Sequence, residues 1–253
     1  MQYSKIILTA LALILISIAL FMMMTERQVE KPEHNITPPF SIGEQLIYNI
    51  SLINSSGSFF ICTVNLSVIG LTSINGCECY VLRGEYVGLG LKAHSYVTTN
   101  NLTLMKTVIE APSAIAVVTY NHKIGKGTIT VTTENDFSSQ QVDIKPDTQD
   151  PLSSIYYIRS LPLREGYWCT FNQISVEGLA LVRIIVSNEL KNVQTGLGNF
   201  TCYEVLLESG GAKSMVYIST SSERLPVIIK IPFSRDTYQC WELVKYLTPT
   251  LAT

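Results

Sequence analysis

Cys77-Glu78-Cys79 is where the residue types and spacing of this chain come nearest to chemistry. On a strand, residues two apart share a face, so two thiolates there could grip a soft metal ion. Zinc takes about four ligands, however, and its cysteines are usually spaced by two or more residues. No second half of such a site is visible, so no metal site is assigned. The six cysteines, Cys62, Cys77, Cys79, Cys169, Cys202 and Cys240, are even in number. In an oxidising compartment they allow up to three disulfides among fifteen full pairings, and all six are disulfide candidates.

The three histidines, His34, His94 and His122, are scattered. A nucleophile needs a neighbouring base and a third group that orients it, and no G-x-S-x-G or H-E-x-x-H segment supplies one. Gly88-Leu89-Gly90 and Gly196-Leu197-Gly198 fall between strands and do not open helices, so they read as turns and not as phosphate cradles. No catalytic residue is nominated and no cofactor is expected. The expectation leans away from an enzyme.

Asp150, Arg159, Arg164 and Glu165 flank one short helix pattern. Helix caps and solvated end charges account for most such clusters. The mouth of a β-barrel is also a common pocket, so Tyr156, Arg159 and Arg164 are the candidates for a ligand pocket between this helix and the inner strand faces. A further chemistry lies in the sequons. Asn35, Asn49, Asn54, Asn65, Asn101 and Asn199 each begin N-x-S/T and are glycosylation candidates.

The elements that must position these residues are mostly strands. In Glu44–Ser51, Leu46, Tyr48 and Ile50 alternate with Ile47, Asn49 and Ser51, and a second alternating run follows over Ser58–Ile69. Period two marks a half-buried strand, and Asn49 and Asn65 both fall on its more polar face. About a dozen such segments with short Gly-, Pro-, Asn- and Asp-rich turns run from residue 44 to residue 246. They predict an all-β fold, a curved antiparallel sheet rolled into a barrel or half-barrel. One helix interrupts it. Asp150 caps, Pro151 takes the first helical position, and Leu152, Ile155, Tyr156 and Ile158 give a largely buried stripe. This helix divides the domain into two β halves, about 41–144 and 167–246.

Ahead of the domain, Ile6–Met24 is uncharged and mostly apolar, long enough to span a bilayer as a helix. No small-residue cleavage site follows, which favours an uncleaved anchor over a signal peptide. Residues 1–24 are thus expected to be a transmembrane anchor or signal segment, 25–40 a proline-containing stalk, 41–247 the extracytoplasmic β domain and 248–253 a tail. The expected location is the cell membrane, single-pass, with the C-terminal domain outside the cytoplasm. With 20 acidic against 18 basic residues and no basic block, nucleic acid is not an expected partner.

Four segments are similar to the domain-of-unknown-function 3108 family. They are Gly43-Glu44-Gln45-Leu46-Ile47-Tyr48, the run from Asp150-Pro151-Leu152 through Arg159 to Leu161-Pro162-Leu163, Gly198-Asn199-Phe200-Thr201-Cys202-Tyr203-Glu204-Val205, and Arg224-Leu225-Pro226-Val227. The resemblance implies an exported, curved antiparallel sheet with one helix and brings no established activity. The cysteines and sequons depart from the family's bacterial envelope pattern. Together these features lead to the expectation of non-catalytic binding of a lipid, a glycan or an envelope protein. The alternatives are an envelope hydrolase whose site forms only in three dimensions, or a purely structural surface protein.

Overall fold

The computed structural model describes residues 38–175, 178–234 and 236–249. Fifteen strands form one sheet in the order β8-β7-β6-β5-β4-β3-β2-β1-β15-β14-β13-β12-β11-β10-β9. The first half comprises β1 (Gln45–Asn54), β2 (Gly57–Ile74), β3 (Cys77–Val87), β4 (Leu91–Thr98), β5 (Leu104–Ala111), β6 (Ala114–Asn121), β7 (Lys126–Thr133) and β8 (Phe137–Asp143). Each pairs antiparallel with the one before it. Helix α1 (Pro151–Ser160) follows the two-residue β9 (Thr148–Gln149). The second half comprises β10 (Trp168–Ser175), β11 (Gly178–Thr195), β12 (Gly198–Ser209), β13 (Ala212–Ser219), β14 (Pro226–Ser234) and β15 (Thr237–Leu247).

The two halves meet where β15 pairs with β1, from Gln45↔Leu247 to Ile53↔Tyr238. The chain therefore leaves the seam on one side, crosses by way of α1, and returns to the seam from the other. This crossing makes β9–β10 the parallel pair in an otherwise antiparallel ladder. Bulges at Ile50/Ser51, Val68/Gly70, Tyr96/Val97 and Val186/Leu190 bend the strands. The curl brings β8 against β11, although the two stand far apart in strand order.

Alternation decides which face is inside. Leu46, Tyr48 and Ile50 of β1 and Cys62, Val64, Leu66 and Val68 of β2 are buried on the concave face. Helix α1 fills that concavity. Phe40 stands edge-on to Tyr156 at 5.1 Å and to Tyr80 at 5.4 Å, and Tyr157 packs on Phe171 at 5.5 Å. The expected anchor, Ile6–Met24, lies outside the described residues, as do Asn35, His34 and most of the stalk. Among the described residues, no helix is long and apolar enough to cross a membrane.

The disulfide expectation is corrected: no disulfide joins any of the six cysteines in the structure. The ladder gives the reason. Cys62 faces Ile50, Cys77 faces Ile74, Cys79 faces Thr72 and Thr98, Cys202 faces Lys191 and Ser219, and Cys240 faces Ser51 and Lys230. No cysteine sits across a rung from another. Cys77 and Cys79 share a strand, where the pleat holds side chains two apart further than a disulfide reaches. Burial pushes the Cys62, Cys79 and Cys240 thiols up and takes Cys202 up to about 11, so these groups stay protonated.

Candidate functional site

Two polar regions stand out, one sealed and one open. The sealed region is the joint around α1. At its N-terminus Asp150 accepts the Ser153 amide at 2.6 Å, while the Asp150 amide donates to Ser153 Oγ at 2.9 Å, a reciprocal cap. The other carboxylate oxygen accepts the hydroxyls of Ser95 on β4 (2.6 Å) and Thr107 on β5 (2.5 Å). Because Thr107 spends its proton on Asp150, the Tyr120 hydroxyl at 3.1 Å donates to Thr107. Asp150 thereby ties the helix to the first half of the sheet.

At the other end Arg159, 0% exposed, ties the helix to the seam. Its two terminal nitrogens reach the Glu44 carboxylate at 2.7 and 2.9 Å, a bidentate pair. Nε donates to the Arg224 carbonyl at 3.1 Å and Nη2 to the Glu223 carbonyl at 2.9 Å. Glu44 is delivered by a turn in which Gly43 takes φ 91°, a conformation that glycine adopts without strain. Arg224 in turn donates to the Leu161 carbonyl just beyond the helix, and Tyr48 donates to the Pro226 carbonyl at 2.8 Å. The guanidinium also lies 5.4 Å from the Tyr156 ring and 5.6 Å from the Phe40 ring.

Of the three residues expected to line a ligand pocket, the structure brings two together and sets the third apart. Tyr156 and Arg159 do come together, but inside a filled core, with the guanidinium committed to Glu44 and two carbonyls. Arg164 is elsewhere, exposed and stacked over Tyr167 at 5.8 Å. Asp150 caps as the sequence indicates, and Glu165 is a surface residue. The partner of Arg159 was missed because Glu44 is 115 positions away. One signal could have found it: both residues lie in segments that carry the family resemblance.

The open region is a cleft of about 860 Å³ at one end of the first half. Three turns form it: β2–β3 with Asn75, Cys77 and Glu78, β4–β5 with Thr98 to Asn101 and Thr103, and β6–β7 with Asn121 to Ile124. The outer-face residues Thr119, Thr128 and Gln141 make its floor, with Met105 and Lys126 beside them. The β4–β5 wall is built firmly. Leu102 takes φ 55° to bury its side chain, and its carbonyl accepts Gln149 Nε2 at 3.0 Å. Asn101 Oδ1 accepts Thr98 Oγ1 at 2.6 Å and Thr103 Oγ1 at 2.8 Å. On the β6–β7 side His122 donates from Nε2 to the Leu104 carbonyl at 2.7 Å, which leaves Nδ1 as an acceptor. That Nδ1 is buried and has no hydrogen-bond partner among the described residues. The His122 ring stacks near Tyr120, 15° from parallel.

Chemically, the cleft offers carboxamides and hydroxyls that can donate and accept around a neutral polar ligand. Cys77, Glu78 and His122 line it together, yet among the described residues no group of three His, Cys, Asp or Glu is set to hold a metal. His94 lies on β4 away from the cleft, and burial lowers its pKa. The sequence signal for the cleft was weak: Asn- and Thr-rich turns look like any turns until the curvature sets three of them side by side.

The fold defines the class: a long, open antiparallel sheet curled in barrel-like fashion over a capped helix. A family model described as "Protein of unknown function (DUF3108)" matches residues 63–238, and the chain belongs to that family. Three of the four resembling segments fall inside the match, while Gly43–Tyr48 precedes it. No curated protein matches the sequence. Among solved structures, the chain is similar to a β-barrel-like protein of domain of unknown function DUF1849 from Brucella abortus, with 9% identity and a TM-score of 0.56. That match covers 83% of this chain and 99% of the other. A protein from Bacteroides fragilis assigned as exported, with a YmcC-like fold, has 10% identity over 85% of this chain and 100% of its own, with a TM-score of 0.36.

Proposed function

We propose that the domain is a non-catalytic binding module outside the cytoplasm and that its ligand is a glycan held in the turn cleft. The observation that carries this is the lining. Asn75, Asn100, Asn101, Asn121 and Gln141 stand with Thr99, Thr103, Thr119 and Thr128 around one open volume. Carboxamides and hydroxyls match the paired donor and acceptor of a sugar hydroxyl, and Met105 and Ile124 give apolar surface for a ring face. About 860 Å³ lies within the range of small-molecule sites.

A lipid would need an apolar cavity, and the concave face that could supply one is occupied by α1. A hydrolase would need a base bonded to a nucleophile, whereas His122 Nδ1 has no hydrogen-bond partner among the described residues. The location rests on the apolar Ile6–Met24 run and the sequons.

The test is an oligosaccharide array probed with the purified chain, followed by titration calorimetry on any hit. Binding that falls at least tenfold in Asn121→Ala and Gln141→Ala, with unchanged Tm, supports the cleft. A hit whose affinity ignores both substitutions, or an array with no hit, overturns it.

A further inference from the structure

The sequence offers sequons indiscriminately; the sheet does not. Asn49 is paired on both sides, with Glu242 of β15 and Thr63 of β2, and its Oδ1 accepts the Thr63 hydroxyl at 3.2 Å. Asn65 is likewise held between Ile47 of β1 and Glu85 of β3, and the serine that completes its sequon, Ser67, is buried. Asn54 and Asn101 each use Oδ1 to hold their own turn, through the Ser56 amide and through Thr98 and Thr103.

Asn199 differs in the exposure and pairing of the asparagine itself, although the Thr201 hydroxyl of its sequon donates to Asn192 Oδ1 at 3.4 Å and the Thr201 carbonyl accepts from Thr220. It sits at the tip of the β11–β12 hairpin, exposed, and among the described residues its carboxamide makes no hydrogen bond. Thr201, two residues on, is exposed on the same outward face, as strand alternation requires. On one side Asn199 pairs with Gln194 of β11, but the ladder to β13 begins only at Cys202↔Ser219. Residues 198–200 therefore present an open strand edge. A hairpin tip paired on one side opens locally at far lower cost than a strand held on both.

We infer that Asn199 is the N-glycan acceptor that the folded domain presents, and that Asn49 and Asn65 stay bare. The inference rests on the external location proposed above and is independent of the cleft ligand. The donor class is a lipid-phosphate-linked sugar. The Asn199 Nδ2–C1 bond forms as the sugar C1–O(phosphate) bond breaks. The lipid phosphate leaves, and the amide proton passes to the transferase's base. No oxidation or reduction is involved.

The experiment uses the full chain with its own N-terminal segment, produced in a host that N-glycosylates exported proteins. Protease accessibility on intact cells first fixes the location, and glycopeptide mass spectrometry then reads each sequon. The expected result is a glycan on Asn199, lost completely in Thr201→Ala and retained in Thr201→Ser, with Asn49 and Asn65 unmodified. A bare Asn199 on accessible protein overturns the inference and leaves the location standing. Equal occupancy at Asn49, Asn65 and Asn199 overturns the selection by the fold. A chain inaccessible to protease overturns the location and this inference with it.

Discussion

The joint around α1 and the turn cleft are both polar, and they differ in what their polar groups face. In the joint, Arg159, Glu44, Asp150, Ser95 and Thr107 face one another and backbone carbonyls. In the cleft, Asn75, Asn100, Asn121 and Gln141 face open volume. Buried charge that is fully engaged by protein holds a fold together, and it has no valence left for a ligand. Three of the four segments that resemble the family meet at the joint: Glu44 and Tyr48, Asp150 and Arg159, Arg224 and Pro226. Family resemblance in this chain therefore marks the device that fixes a curled sheet on its helix, and the cleft residues lie outside those segments.

Breaking the joint should have the largest effect. Arg159→Ala strands the Glu44 carboxylate in the core and should cost about 3–5 kcal/mol, on the order of 10 °C in Tm. Arg159→Met combined with Glu44→Leu removes both charges and should recover much of that loss. Equal losses in the single and double variants by thermal denaturation would argue against a coupled pair. At the other end of the helix, Asp150→Ala removes a cap and leaves two buried hydroxyls short of a partner. Its expected cost is about 2–3 kcal/mol, measured by urea unfolding. Tyr48→Phe, which loses one buried bond to the Pro226 carbonyl, should cost only about 1 kcal/mol.

The interior also sets the alkaline limit. Burial pushes the Tyr48, Tyr86, Tyr120 and Tyr156 phenols above the ordinary value of 10.0. Their folded values exceed their unfolded ones, so the stability they contribute is fully present below about pH 10 and is lost as pH rises beyond it. These tyrosines should ionise together with loss of the sheet, seen as coincident absorbance and circular dichroism transitions. Gradual ionisation with the sheet intact would show that the interior is not sealed.

The thiols sharpen the contrast at smaller amplitude. Cys77, exposed at the cleft, should react with a thiol reagent in the native protein well before the buried Cys62, Cys79 and Cys202. Denaturation should then expose six thiols in all. A shortfall of two or more would restore the disulfide expectation.

The strands and the helix were legible because each rests on local periodicity. Leu46, Tyr48 and Ile50 alternate whatever they pair with, and Asp150-Pro151 caps from within its own turn. The ends of β2 and β11 were less legible because both strands run on past buried alternation into stretches exposed on both faces. What could not be read was long-range. The Glu44–Arg159 pair, the separation of the cysteines across rungs and the cleft all depend on the curvature that bulges impose. In the sequence Arg159 is a charge in an apolar helix, and it reads as pocket-lining because a charge whose partner is unseen looks available.

Hydrogen–deuterium exchange with and without a glycan identified on the array separates the cleft from the joint most directly. Residues 98–103 and 121–126 should gain protection, with no change across 151–160. Protection centred on 151–160 and on Glu44, with the three turns unchanged, would return the ligand to the interior and contradict the assignment of the cleft.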